Sequence, residues 1–338
     1  MTHTPFTQMR RLRRTRAIRS MTAETILAPE HLILPVFVAE GSSRRVSLPG
    51  MPGVEMLSGD LILEEINAAR ACGLRAVLLF AMLDAQRKKP SGSSAADASN
   101  PICTAIRRIK EHADEMLIIA DLCLCAYTTH GHCGVMKNGQ IDNASTLDIL
   151  AEAAINLAHA GVDIIAPSGV MDGTVHTLRK ALDINGFNHV GLMPYSAKFA
   201  SGFYGPFKEA AQSVPGESLH ATHQIQVGNG REALRKIWVD VEEGADMIIV
   251  KPVLTSLDIV ALAKEQGCPA PIVGYDVSGF YQPLVSTHGL GSPTCDALIL
   301  EILMSIRRAG AQMIITYYAK QAARRLSQAD AWHRADAS

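Results

Sequence analysis

An α/β chain closing into a (β/α)8 barrel of the TIM type, preceded by an extended N-terminal arm, is the fold that this 338-residue sequence predicts. Three observations predict it. First, eight short apolar runs recur: LILPVFV from Leu32, RAVLLF from Arg75, EMLIIADL from Glu115, VDIIAP from Val162, HVGLMPY from His189, DMIIVKP from Asp246, PIVGYDV from Pro271 and QMIITYY from Gln312. Their starts lie about 40 residues apart, the length of a strand–helix unit. Each is apolar on consecutive positions, as a parallel strand buried on both faces requires. Second, helical patterns fill the intervals, as at 145–160, 231–243 and 294–309. Third, three helix exits share one phrase, HAGVDIIAP, EEGADMIIVKP and RAGAQMIITYY, in which glycine ends the helix and a buried strand follows. A doubly wound open sheet is the competing architecture, but no G-x-G-x-x-G follows the first strand.

Composition bounds the rest. Hydrophobic residues make up 48% and charged residues 19%, enough for a large core and against intrinsic disorder. Length alone would permit two domains, but one barrel over 31–330 behind an arm over 1–30 accounts for the pattern. A formal net charge of −1 argues against nucleic acid as a partner of the whole molecule. No apolar run approaches the ~18 residues of a membrane span, so no membrane partner is expected. The N-terminus carries no apolar signal core, and seven cysteines is an odd number for a disulfide framework. A cytoplasmic protein is expected.

The elements follow in order. The arm concentrates Arg10, Arg11, Arg13, Arg14, Arg16 and Arg19 before the first acidic residue, Glu24. Such a cluster suits a nucleic-acid patch, a transit peptide, or a segment docking on a neighbouring subunit. Barrel chemistry gathers at the C-terminal ends of strands. Those ends read Phe80, Asp121-Leu-Cys-Leu-Cys, Pro167-Ser168, Tyr195-Ser-Ala-Lys198, Lys251-Pro252, Val277-Ser278-Gly279 and Tyr317. Two connections exceed what a βα turn needs: 83–100, which reads as a mobile lid, and the glycine- and proline-rich 199–230, which reads as an ordered loop over the mouth.

Cys123, Cys125 and Cys133 fall within eleven residues just past the third strand, with His130 and His132 between them. Three thiolates satisfy zinc and leave a fourth position open for chemistry, whereas ordinary buried thiols are the plainer alternative. Lys198 and Lys251 each end an apolar strand. Desolvation favours the neutral amine, and a second ammonium nearby acts the same way, which prepares an amine for imine formation with a ketone. The alternative is a lysine paired with a phosphate or a buried carboxylate. Ser278 and Tyr317 offer hydroxyls to a substrate carboxylate. Lys208 and His220 in the second long loop are candidate anion contacts, against the plain reading of solvated loop residues.

At DLCLCAYTTHGHCG, APSGVMDG, PYSAKFASGFYGPF, ADMIIVKP, DVSGFY and RAGAQMIITYYAK the sequence resembles the porphobilinogen synthase (5-aminolevulinate dehydratase) family. The likeness begins at RRLRRTRAIR, continues through LILPVFVAEG and MPG, and runs to about residue 326. It implies a barrel fold and a homo-oligomer, commonly an octamer held by the arm. It also implies condensation of two molecules of 5-aminolevulinate, an aminoketone, to a pyrrole in tetrapyrrole synthesis. By the same resemblance Lys251 forms the imine, Lys198 is the second active-site lysine, and Ser278 and Tyr317 hold the first substrate's carboxylate. Cys123, Cys125 and Cys133 match ligands of Zn2+, and Asp121, Ser168, Phe207 and Gln224 match other pocket residues.

The departures cluster on the second-substrate side. The family usually has arginines where this chain has Lys208 and His220. Ala126 and Phe280 stand for glutamates, Gly169 for an aspartate, Pro194 for a serine and Ser256 for a tyrosine. Neither Lys nor His makes the planar two-point contact that Arg makes with a carboxylate. Three readings follow: a zinc enzyme of this family with a drifted second site, a paralogue joining an aminoketone to another partner, or a non-catalytic zinc-binding or structural relative.

Overall fold

The computed structural model describes residues 9–113, 115–205 and 222–327. All eight apolar runs are parallel strands: β1 (Leu32–Ala39), β2 (Ala76–Met82), β3 (Leu117–Leu122), β4 (Ile164–Pro167), β5 in two pieces (Gly191–Leu192 and Ala197–Lys198), β6 (Ile248–Lys251), β7 (Ile272–Tyr275) and β8 (Met313–Ile315). Neighbours in sequence are neighbours in the sheet, and β8 returns to β1 through Leu32↔Ile314 and Ile33↔Ile315.

Closure at β5 depends on a proline. Gly191–Leu192 pairs with β4 and Ala197–Lys198 with β6. Between the pieces, Met193 and Tyr195 donate their N–H groups to Ile165 and Pro167 of β4, and the Pro194 carbonyl accepts from Ile249 of β6. Pro194 has no N–H to return toward β6, which is why one strand appears as two. The chain itself bridges the gap, and the barrel is complete.

Helices alternate with the strands: α2 (Ile62–Ala71), α3 (Pro101–His112), α4 (Asn143–Ala160), α5 (Thr174–Ile184), α6 (Gly230–Glu242), α7 (Leu257–Glu265), α8 (Ser278–His288), α9 (Pro293–Ala309) and α10 (Ala319–Ser327), after a short arm helix α1 (Arg16–Met21). Their starts are written in the sequence. Asn100 and Ser292 cap α3 and α9 by accepting from Cys103 and Cys295, each with proline at the first helical position, and Asp142 caps α4. The three repeated exits end on Gly161, Gly244 and Gly310 with φ of +96°, +105° and +132°, a region L side chains rarely adopt.

The core is the barrel lumen plus the strand–helix layer, with every residue of β1, β2, β4, β6 and β7 buried. The arm contrasts with it. Neither Met9–Arg13 nor α1 buries any residue, and Leu27 is the first buried side chain among the described residues. Among the described residues no helix is long and apolar enough to cross a membrane.

Candidate active site

The strand ends converge at one mouth. β5 and β6 pair Lys198 directly beside Lys251, so both ammonium groups enter the same buried space, 8% and 7% exposed. Lys198 Nζ donates to the Ser168 carbonyl at 2.6 Å, reaching across to the end of β4. Lys251 Nζ lies 3.8 Å from the Tyr275 ring centroid and 5.2 Å from those of Tyr195 and Tyr204. The Tyr204 hydroxyl donates to the Phe199 carbonyl at 2.7 Å, which holds that ring under Lys251. Three aromatic faces and near-complete burial make an amine's surroundings apolar.

The two lysines part company electrostatically. Burial, reinforced by the Lys198 charge, pushes Lys251 down to about 7. Burial also works against the Lys198 ammonium, but Cys133, Cys123, Cys125 and Asp121 pull harder and raise it above its ordinary value. A titratable pair pushed apart by environment is the usual sign of divided roles. Sequence spacing had both lysines depressed, because it could not weigh the anionic groups, which bear on both amines but outweigh burial only at Lys198. Asp121 feels both ammonium charges. Burial raises its carboxyl to about 6, against Ser168 and the two ammonium groups, and its Oδ1 is buried without a hydrogen-bond partner.

The thiols of Cys123, Cys125 and Cys133 lie within 4.8 Å of one another. Met171 packs on Cys123 and Cys133, and Gly169 is close enough that an added Cβ would stand 3.5 Å from the Cys133 carbonyl. Cys123 is raised by Cys125, Cys133 and burial together, and Cys125, though a hydrogen bond with Cys123 opposes it, is raised by Cys133 and burial. Three convergent sulfurs in a buried pocket suit a soft or borderline cation, which would take the protons' place. His130 and His132 stand outside that ligand-distance group, and His130 Nε2 is 3.0 Å from the Pro90 carbonyl.

On the opposite wall, Ser278 opens α8 and is buried, and Tyr317 Oη lies 3.2 Å from Tyr275 Oη. Gly279 is required: an added Cβ would sit against the Phe203 backbone, with its Cα at 2.8 Å. The neighbouring Phe280 stacks on Phe203 with centroids 4.4 Å apart, so an aromatic pair occupies this part of the rim. Gln224 and Ser168 are buried. Phe207, Lys208 and His220 fall outside the described residues.

The 83–100 connection, expected as a mobile lid, is instead tied down. Lys89 N donates to Tyr127 O, Thr129 N donates to Lys89 O, and Asn156 Nδ2 donates to Ala96 O, fastening the segment to the cysteine loop and α4. Small Ser and Ala side chains let it pack flat, and Ser94 and Ala95 are buried. Sequence reasoning passed over Tyr195, Tyr204, Tyr275 and Lys88 as site residues. The tyrosines 195 and 275 carry one faint signal, each standing three residues before a chemistry-bearing Lys198 or Ser278 at a strand end. Lys88, part-buried, has Cys125 as the charge bearing on it.

Comparison with known proteins agrees with this geometry. Residues 6–325 match the family model described as delta-aminolevulinic acid dehydratase. The chain is 43% identical over 323 residues to the delta-aminolevulinic acid dehydratase of Bacillus subtilis, covering 96% of this chain and 99% of the relative. It is 42% identical over 317 residues to that of Methanothermus sociabilis, covering 94% and 98%. A solved Toxoplasma gondii delta-aminolevulinic acid dehydratase (porphobilinogen synthase), in complex with the reaction product porphobilinogen, superposes with a TM-score of 0.91 at 38% identity, over 95% of this chain and 91% of that one. With eight strands in a closed order, paired lysines at the mouth and likeness along nearly its whole length, the chain belongs to the delta-aminolevulinic acid dehydratase family of lyases.

Proposed function

We propose that the protein condenses two molecules of 5-aminolevulinate to the pyrrole porphobilinogen, with Lys251 as the imine-forming amine. The observation that carries this reading is the register pair Lys198–Lys251, buried together with Lys251 depressed to about 7. A neutral Lys251 amine attacks the substrate ketone, and loss of water leaves an imine. Ser278 and Tyr317 hold that substrate's carboxylate. Lys198, kept protonated, donates or relays protons beside Asp121. The aromatic walls exclude water that would hydrolyse the imine. Cys123, Cys125 and Cys133 hold Zn2+, which when bound supplies Lewis-acid polarisation of the second substrate. The exposed arm docks on another copy, giving a homo-oligomer.

The test is pyrrole formation by the purified zinc-loaded protein given 5-aminolevulinate, with borohydride trapping and peptide mapping to locate the imine. Label on Lys198 alone would reverse the roles, and no label with no pyrrole would remove the reading. The aromatic Phe203–Phe280 pair at the rim favours a second reading, a paralogue joining an aminoketone to a different partner. The double replacement Lys208→Arg with His220→Arg separates the two. A synthase with weakened carboxylate contacts should lower its KM for 5-aminolevulinate about ten- to hundredfold. A paralogue should gain almost nothing.

A further inference from the structure

We propose that Asp276 is a positioning residue that clamps β7 to β8 and, as an uncharged acid, sets how tightly the site holds the carboxylate of a keto-acid substrate; this rests on the function proposed above. The β7–β8 register runs Val273↔Met313, Gly274↔Ile314 and Tyr275↔Ile315. Asp276 and Thr316 are therefore the next pair beyond it. Asp276 N donates to Ile315 O at 2.9 Å, Thr316 Oγ1 donates to Asp276 Oδ2 at 2.9 Å, and Tyr318 N donates to that hydroxyl at 3.2 Å. Ser278 and Tyr317 follow within two residues on either strand, so the clamp fixes the spacing of the two groups given the substrate carboxylate.

The chemistry of Asp276 is unusual for its place. It is wholly buried, and its Oδ1 has no hydrogen-bond partner among the described residues. Tyr317 and Tyr318, from the β8 exit, are the titratable groups that feel it, and Cys295 of α9 and Tyr281 of α8 bear in turn on Tyr318. No Lys, Arg or His bears on it among the described residues. A carboxylate with one hydrogen bond and no cation is costly in an apolar setting, so the neutral acid is the favoured form. Burial raises this carboxyl to about 7, with the Thr316 bond opposing. Once ionised, Asp276 sets a like charge behind the substrate carboxylate, where little water screens it. By linkage, binding the carboxylate favours the protonated acid.

The experiment compares levulinate, a 4-oxo acid, with the neutral ketone butanone, each trapped by borohydride in the whole protein between about pH 6 and 8.5. Both ketones need the same lysine, so the ratio of their half-saturating concentrations cancels the titration of Lys251. In the native protein the levulinate-to-butanone ratio should rise roughly tenfold across that range, and in Asp276→Asn it should stay flat. Thr316→Val should weaken levulinate at every pH without moving butanone, and Thr316→Ser should restore it. An unchanged pH slope in Asp276→Asn, or a Thr316→Val effect equal on both ketones, overturns the proposal. If the native protein traps neither ketone, the Lys251 assignment fails instead. Calorimetric titration of levulinate into native and Asp276→Asn protein at the two pH extremes then decides Asp276 by itself: a pH-dependent affinity lost in the variant supports it, and equal affinities overturn it.

Discussion

Lys251 and Lys198 are chemically identical residues that adjoining strands deliver to opposite electrostatic fates. If the Lys198 charge helps depress Lys251, then Lys198→Met should shift the midpoint of imine trapping upward by roughly one pH unit, read from the pH dependence of borohydride inactivation. The stability consequence has a definite sign. Lys251 is charged in the unfolded chain up to its ordinary 10.5 and neutral in the folded protein down to about 7. The cost of folding around it therefore grows as pH falls from 10.5 to 7 and is constant below. Lys251→Met should raise the urea midpoint, most at and below pH 7 and least near pH 10. Gly279→Ala should cost about 1–3 kcal/mol in urea unfolding, because backbone rather than a flexible side-chain end lies where the methyl would go. Since Phe203 must retreat, that variant should also lose affinity for levulinate.

At the scale of elements, the caps make an additional test. Asn100 both caps α3 and donates from Nδ2 to Ala95 O at 3.0 Å, whereas Ser292 only caps α9. Asn100→Ala should cost more than the roughly 1 kcal/mol expected for Ser292→Ala, by urea midpoint at constant slope. Strands and helix exits were legible in the sequence because each rests on local chemistry: consecutive apolar residues, or a glycine in the left-handed region. The cysteine cluster was legible for the same reason, as its members lie close in sequence. Other features were not. The opposite shifts of Lys198 and Lys251 depend on how burial and the surrounding charges balance at each amine after folding. The tyrosine cage draws Tyr195, Tyr204 and Tyr275 from three separate segments. The split of β5 at Pro194 shows only once its neighbours are known.

For the whole molecule, the exposed arm is the feature without a purpose inside one chain. Met9, Leu12 and Met21 are 69%, 59% and 86% exposed. Single exposed apolar residues are ordinary, but several along one unburied segment suit a second copy as their cover. Removing residues 1–26 should give a smaller particle by sedimentation velocity, and an unchanged particle would place the interface elsewhere. The gap at Pro194 has a consequence in time. The barrel is a hoop of hydrogen bonds with one stave fastened less firmly on its β6 side, and that stave ends in Lys198. Amide hydrogen exchange should therefore be earliest, among barrel strands, at Ala197 and Ile249, and latest along the seven-residue ladder joining β1 to β2. The most readily loosened seam and the reacting amines would then be neighbours, leaving the mouth free to adjust while the rest of the hoop stays closed.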